Sequence, residues 1–205
     1  MGAGENELAA AMPGRDDRLM ERPREILTHG PVTLRRWRTA DAEKLYLAVA
    51  ESLDHLRPWM PWAVDYQPAS AAEFLRQCEQ DWESGDAFNY AISVPGSEVA
   101  GSCGLMARIG PGGLEIGYWV HVGHIRRGLA TAAAAALAAE AFTLAGIDRV
   151  EIVHDEENVA SGRIPRKLGF TEIERRPQPP DRPAGADDAI AGAGGVIDIV
   201  WRLTR

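Results

Sequence analysis

The run Arg126-Arg127-Gly128-Leu129-Ala130-Thr131 holds the most specific chemistry in the chain. It follows a strand-like segment ending at Val120-His121-Val122 and opens an alanine-rich helical stretch. The first amides of a helix have no intrahelical acceptors; they point outward with the positive end of the helix dipole behind them. Such a terminus binds a phosphate group. Gly128 permits close backbone approach, Arg126 and Arg127 add charge, and the alanines at 132–136 let the helix lie close to a sheet. An ordinary capped helix with two solvated arginines would carry the same residues, so local physics leaves both readings open. Rival phosphate motifs fail. No Gly-x4-Gly-Lys-[Ser/Thr] occurs, and Gly192-Ala193-Gly194-Gly195 lacks the third spaced glycine and precedes a strand.

A second group of residues has acid–base potential. In an extended segment Glu115, Gly117 and Trp119 share one face, because side chains alternate. A carboxylate among Trp and Tyr has its pKa raised by desolvation and becomes a usable base, directly or through a water. The alternative is a strand glutamate paired with an arginine. His121 and His124 have an HxxH spacing but straddle a strand end, and no third ligand is evident, so no metal is expected. His154, at a strand end, reads as a polar cap. Cys78 and Cys103 are far apart and match no metal spacing, which suits reduced thiols in the cytoplasm.

The elements that position these residues follow from periodicity. Residues 1–25 are rich in Gly, Ala, Pro and charge and read as a flexible tail. A single domain over 26–205 follows. Val32 to Trp37 alternates as a strand; Thr39 caps a helix, and Ser52 to Arg57 reads as a short second helix stopped by Pro58. Trp59-Met60-Pro61-Trp62 makes a bend rich in aromatics, and a further helix runs from Ser70 to about Ser84. Phe88–Val94, Val99–Ile109 and Leu114–Val122 are strands joined by Pro-Gly and Gly-rich connections, an antiparallel meander. A helix from Gly128 to Leu144, a strand Arg149–His154, a helix Asn158–Leu168 and strands near 170–175 and 196–203 complete the order. The Pro-, Gly- and Asp-rich stretch 177–195 reads as a flexible loop. The implied class is α/β (mixed α+β): a mixed sheet flanked by helices, parallel where a helix intervenes.

Four stretches, in this order, then carry a family resemblance: Val32 to Trp37 with Ala40-Asp41-Ala42; Glu51-Ser52-Leu53 through Arg57-Pro58-Trp59-Met60-Pro61-Trp62; Glu115 to Val120 leading to Arg127-Gly128-Leu129-Ala130-Thr131; and Asn158-Val159-Ala160-Ser161 with Lys167-Leu168-Gly169-Phe170. The chain resembles the GNAT superfamily of N-acyltransferases, and within it the branch of RimJ/RimL-type ribosomal-protein alanine N-acetyltransferases. The resemblance implies a mostly antiparallel mixed sheet of about seven strands, splayed at the cofactor site and flanked by about four helices. It implies acetyl-CoA as acyl donor, no metal, and direct transfer to a primary amine in a ternary complex. Backbone at Val120 and Val122 would pair with pantetheine; Arg126, Arg127, Gly128, Leu129, Ala130 and Thr131 would hold the pyrophosphate. Asn158 and Ser161 would lie near the thioester, with Ser161 donating a proton to the departing sulfur. Trp62 and Tyr66 would contact the acceptor, while Trp59 reads as core. One position departs from the pattern: the family's turn commonly begins with Gln or Arg followed by Gly, where this chain has Ile125 and Arg126.

Composition bounds the partners. A formal net charge of −8 argues against general nucleic-acid binding and suits a cationic acceptor. No apolar run spans a bilayer, and the N-terminus lacks a signal-peptide layout. The acceptor is a protein or peptide α-amine or a small amine; monomer and homodimer both remain open. Two alternatives stay beside the enzyme reading, a non-catalytic acetyl-CoA sensor and an acyltransferase using succinyl-CoA. The last would need a cation near the acyl end.

Overall fold

The computed structural model describes residues 21–177 and 197–205. Among them are strands β1 (Ile26–His29), β2 (Val32–Arg36), β3 (Ala87–Val94), β4 (Ser97–Met106), β5 (Gly113–Val120), β6 (Arg149–Asp155), β7 (Thr171–Pro177) and β8 (Ile197–Thr204). The helices are α1 (Ala42–Leu56), α2 (Pro68–Ser84), α3 (Leu129–Ala141) and α4 (Val159–Lys167). The strands make one sheet in the order β1-β2-β3-β4-β5-β6-β8-β7. Every neighbouring pair is antiparallel except β5 and β6, which are joined through α3. This is the mixed architecture expected, with one strand more. The extra strand, β1, buries only Leu27 firmly, too little alternation to stand out in the sequence.

Strand alternation sends each face to its own helices. Trp37, Leu45, Val49, Leu75 and Trp119 pack together under α1 and α2. Leu34, Tyr90, Leu105, Ile116, Ile152 and Leu137 form the larger core under α3 and α4. Trp37 is fully buried, and its indole nitrogen donates to the Ser102 hydroxyl at 3.0 Å, which satisfies a polar atom that burial would otherwise penalise. Helix α3 presents alanines to the sheet, so its backbone approaches β5 closely.

Two boundaries differ from expectation for identifiable reasons. The segment 52–57 is not a separate helix but the end of α1. Ser52 is buried there, and its hydroxyl donates to Ala48 O at 2.8 Å, so a polar residue sits on the inner face without interrupting the helix. Helix α2 begins at Pro68, with Ser70 accepting the Gln67 N–H from inside the first turn. Residues 21–25, read with the tail, are tied to the domain: Arg22 bonds Glu83 and Glu25 bonds Arg36. The remainder of the expected tail, residues 1–20, and the loop beyond Pro177 up to 195 lie outside the described residues. Among the described residues no helix is long and apolar enough to cross a membrane.

The firmest of these ties is at Glu140, a carboxylate 2 % exposed in an otherwise alanine-rich helix. Arg24 donates to it from Nε at 2.9 Å, Nη2 at 2.6 Å and its own backbone N–H at 2.7 Å. Burial alone would raise this carboxyl, but the Arg24 side-chain and backbone bonds outweigh it and hold the group below its ordinary range. A depressed carboxyl contributes stability above its unfolded value of about 4.3 and loses it as pH falls through the folded value. Arg24→Met should therefore lower the melting temperature at pH 7, with the deficit narrowing in scans below about pH 4 as Glu140 protonates.

Candidate functional site

Strands β5 and β6 share only the pairs Gly113↔Arg149, Leu114↔Val150 and Glu115↔Glu151. Beyond them β5 stays on β4 as far as Gly101↔Val120, and β6 stays on β8 as far as Asp155↔Asp198. The two strands therefore part, and a cavity opens between them. Its walls include Gly117 and Tyr118 of β5, Val153 and Asp155 of β6, and Asn158 and Ser161 at the start of α4. Trp59, Met60, Arg108, Glu115, His154 and Asp198 also line it.

The β4–β5 ladder sets which backbone groups face this opening. His121 N–H donates to Ala100 O at 2.9 Å, so His121 and Trp119 bond toward β4. By alternation Tyr118 and Val120 direct their N–H and C=O groups toward the gap. Such a bare edge accepts another extended chain. Val122 is placed differently. Its N–H donates to Ser52 Oγ of α1 at 3.1 Å, so the helix already uses that donor.

At the wide end of the gap the chain turns into α3. A short 3-10 turn at Val122–His124 precedes it, and Arg126 (φ +61°) and Gly128 (φ +76°) both take the left-handed conformation. Arg126 stands where the family pattern has glycine, and the backbone keeps the glycine conformation despite the side chain. Leu129 is buried and anchors the first helical turn, while Gly128 is exposed with open space around it. Ala132 donates to Gly128 O, and among the described residues no acceptor receives the amides of Leu129, Ala130 and Thr131. Arg127 donates to His124 Nδ1 at 2.9 Å; burial, then the charges of Arg127 and His121, hold the His124 imidazole below its usual value. His121 Nδ1 accepts from Gly123 N–H, which leaves its Nε2–H for Glu51 at 2.9 Å. The two rings lie 5.6 Å apart, each turned to its own partner. Among the described residues no three His, Cys, Asp or Glu side chains group as a metal site.

Glu115 and Trp119 face α1 and α2, as alternation requires, and both are buried. Glu115 does not sit among aromatics alone. Arg108 grips it from Nη2 at 2.6 Å and Nε at 3.1 Å, so the carboxylate is paired with an arginine within the cleft. Sequence reasoning missed this arginine, because only the register of the hairpin brings it to Glu115. The antiparallel ladder ends at Met106↔Glu115, and Arg108, two residues farther on and so of the same parity as Met106, reaches back to the carboxylate. Arg108 also supplies a cation in the cleft, one already engaged with Glu115.

The opposite face carries hydroxyls. Tyr118 Oη and Ser161 Oγ lie 3.1 Å apart, and burial pushes the Tyr118 hydroxyl up to about 12. Asn158 caps α4 by accepting Ser161 N–H at 3.0 Å, which fixes where Ser161 stands. Tyr118 was legible only as the opposite strand parity to Glu115. His154 lines the cavity with both ring nitrogens engaged. Trp201 Nε1 donates to Nε2 at 3.0 Å, so the proton sits on Nδ1, 2.7 Å from Asp155 O. Gly162 packs on this ring so closely that a Cβ would stand 2.8 Å from His154 Cε1.

The aromatic bend divides unexpectedly. Trp59, read as core, lines the cavity with Met60. Trp62 and Tyr66, read as acceptor contacts, pack edge-to-face at 5.6 Å, with Trp119 6.3 Å from Trp62 and Tyr46 6.2 Å from Tyr66. Tyr66 is raised by burial and by Tyr46. Pro61 opens a 3-10 turn between the two, with Trp62 packed on the cluster under α1 and α2 and Trp59 at the opening.

Comparison with known proteins adds a family to this geometry. Residues 32–171 match the model of the acetyltransferase (GNAT) domain. YdaF of Bacillus subtilis strain 168, whose assignment as a ribosomal N-acetyltransferase is itself provisional, is 27 % identical over 145 residues, covering 69 % of this chain and 78 % of that one. Among solved structures, RimL, the ribosomal L7/L12 α-N-protein acetyltransferase in complex with coenzyme A, superposes with a TM-score of 0.75 at 19 % identity, over 88 % of this chain and 98 % of that one. Mycobacterium smegmatis RimJ in complex with CoA-disulfide gives 0.72 at 23 % identity, over 87 % and 85 %. The self-immunity acetyltransferase for microcin C7, MccE, with acetyl-CoA and AMP, gives 0.74 at 19 %, over 85 % and 93 %.

The turn yields a direct test of backbone against side chain. A left-handed L-residue costs roughly 1–2 kcal/mol, offset in part by glycine's greater unfolded-state entropy. Arg126→Gly should keep or raise the melting temperature, whereas the β-branched Arg126→Val should lower it by several degrees. Equal effects of the two variants would show that the conformation at 126 does not matter.

Proposed function

The chain belongs to the GNAT acetyltransferase family, and from that premise we propose that it transfers an acetyl group from acetyl-CoA to a primary amine. The observation that carries the reading is the parting of β5 and β6, with a bare strand edge inside the gap and unpaired helix amides at its wide end. Pantetheine would lie along the edge at Tyr118 and Val120, its amides continuing the sheet. The pyrophosphate would sit on the turn from Arg126 to Thr131, held chiefly by backbone.

In the proposed reaction the amine lone pair attacks the thioester carbonyl on the face bearing Glu115. The N–C bond forms, the proton leaves nitrogen for Glu115 through a water, and the C–S bond breaks. The thiolate takes a proton from Ser161, whose hydroxyl is held by its hydrogen bond to Tyr118 Oη; solvent returns a proton to Ser161 and takes the one collected by Glu115, which closes the cycle. The favoured acceptor is an N-terminal α-amine of a peptide or protein. Such an amine has a pKa near ~8, so roughly a tenth is neutral at pH 7, whereas a lysine near ~10.4 is almost wholly charged. A carboxylate shared with an arginine suits the easier proton. The similarity to ribosomal-protein acetyltransferases supports a protein acceptor, and Asp155 and Asp198 in the lining favour a cationic group. Acetyl rather than succinyl is favoured because the cation in the cleft, Arg108, is engaged by Glu115.

Thiol release measured across N-terminal peptides and small amines tests the function. Tight acetyl-CoA binding without acceptor-dependent release would make the protein a sensor instead. Within the site, Ser161→Ala should lower kcat by about 10²-fold, the lower range for a proton donor, with the KM for acetyl-CoA little changed. Glu115→Gln should likewise lower turnover and spare cofactor affinity; wild-type turnover across pH would remove Glu115 from the reaction.

A further inference from the structure

The last rung before β5 and β6 part places two glutamates side by side. Glu115 and Glu151 are direct partners in the parallel ladder, and each is only 6 % exposed. They lie on the same face of the sheet, since in-register neighbours share a face. Arg108 grips Glu115 from the β4 side. On the β8 side Arg202, the direct partner of Glu151, donates to Glu151 Oε1 from Nε at 2.8 Å and Nη2 at 2.6 Å, with Arg149 Nε 4.0 Å from the same oxygen. A row of charges therefore crosses the apex of the gap: cation, carboxylate, carboxylate, cation.

Stability does not account for this row. Like charges directly across a sheet repel, and well-packed apolar residues often serve as well as buried ion pairs. Adjacent carboxylates do have a chemical use. The charge of one makes the other attract a cation or a proton more strongly, and the flanking arginines limit the effect.

We propose that Glu151, with Arg202 behind it, is a positioning residue whose negative charge tunes proton uptake from the acceptor amine at Glu115. The proposal rests on the reading of Glu115 as proton acceptor. Among the described residues, the charged groups facing Glu115 include Arg108, two residues beyond β4, and Glu151 from β6, with Arg202 and Arg149 behind. Asp155 and Asp198 line the same cavity, and the packing residues Trp59 and Met60 carry no charge.

The test is the pH at which kcat is half-maximal, at saturating acetyl-CoA and peptide, in four variants of the full chain. Glu115→Gln comes first; turnover equal to wild type would overturn the reading of Glu115 and this inference with it. With Glu115→Gln impaired, Glu151→Gln should shift the half-maximal pH down by about one unit, since it removes a negative charge beside the acceptor. Arg202→Met should shift it up by a similar amount, and Arg202→Lys should restore the wild-type position. Loss of a merely structural bridge would lower the melting temperature without opposite shifts. Unmoved profiles, or shifts of the same sign, would overturn the inference while leaving Glu115 in place. Should Glu151→Gln fail to fold, the Met and Lys variants at 202 decide alone; identical profiles would sink it.

Discussion

Everything in the site depends on β5 and β6 pairing for three rungs and then separating. Each strand keeps its other neighbour, so the separation costs no pairing on the β4 or β8 side. What it leaves is a strip of backbone donors and acceptors without partners among the described residues, a state that folding ordinarily avoids inside a sheet. The unmet hydrogen bonding is local and faces a cavity, so a ligand with amides of its own can meet it. The parallel relation of the two strands matters equally. Because both run the same way, the helices that follow them, α3 and α4, start at the same end of the gap. One offers free amides there, and the other offers Asn158 and Ser161.

The sheet also separates two chemistries. Tyr118 and Ser161 meet on the face covered by α3 and α4, whereas Glu115 meets Arg108 and Glu151 on the face covered by α1 and α2. A group bound in the gap is reached from both faces at once, by hydroxyls on one and carboxylates on the other. Strand alternation alone produces this division, since Glu115 and Tyr118 differ by an odd number of residues. The two sides are also physically connected. Ser52, on α1, accepts the amide of Val122 just ahead of the α3 turn, so the helix leading to Trp59 and Met60 is bonded to the turn that opens α3.

Much of this was legible in the sequence, and the illegible parts share a cause. The amide terminus at Gly128 was readable because a helix start is local: glycine, alanines and a preceding strand suffice. Glu115 was readable as a face of a strand, again a local property. Arg108, Glu151 and Tyr118 acquire their meaning from register, which no local pattern discloses. Trp59 lines the cavity while Trp62 packs against Tyr66 and Trp119, a division across the Pro61 turn that depends on tertiary packing. The left-handed conformation of Arg126 was hidden more deeply. An arginine there suggests charge, and the structure shows a residue occupying a glycine's backbone state.

The contact between Gly162 and His154 has a further consequence. The imidazole is locked edge-on by Trp201 on one nitrogen and the Asp155 carbonyl on the other, so it cannot yield. It thus acts as a spacer of fixed thickness between β6 and α4, and hydrogen in place of a side chain at 162 is the tolerance to which the two are fitted. Ser161, one residue earlier on that helix, inherits its height above the gap from the spacer. The reach of the Ser161 hydroxyl toward that of Tyr118 is therefore gauged by a ring on the other strand bordering the gap.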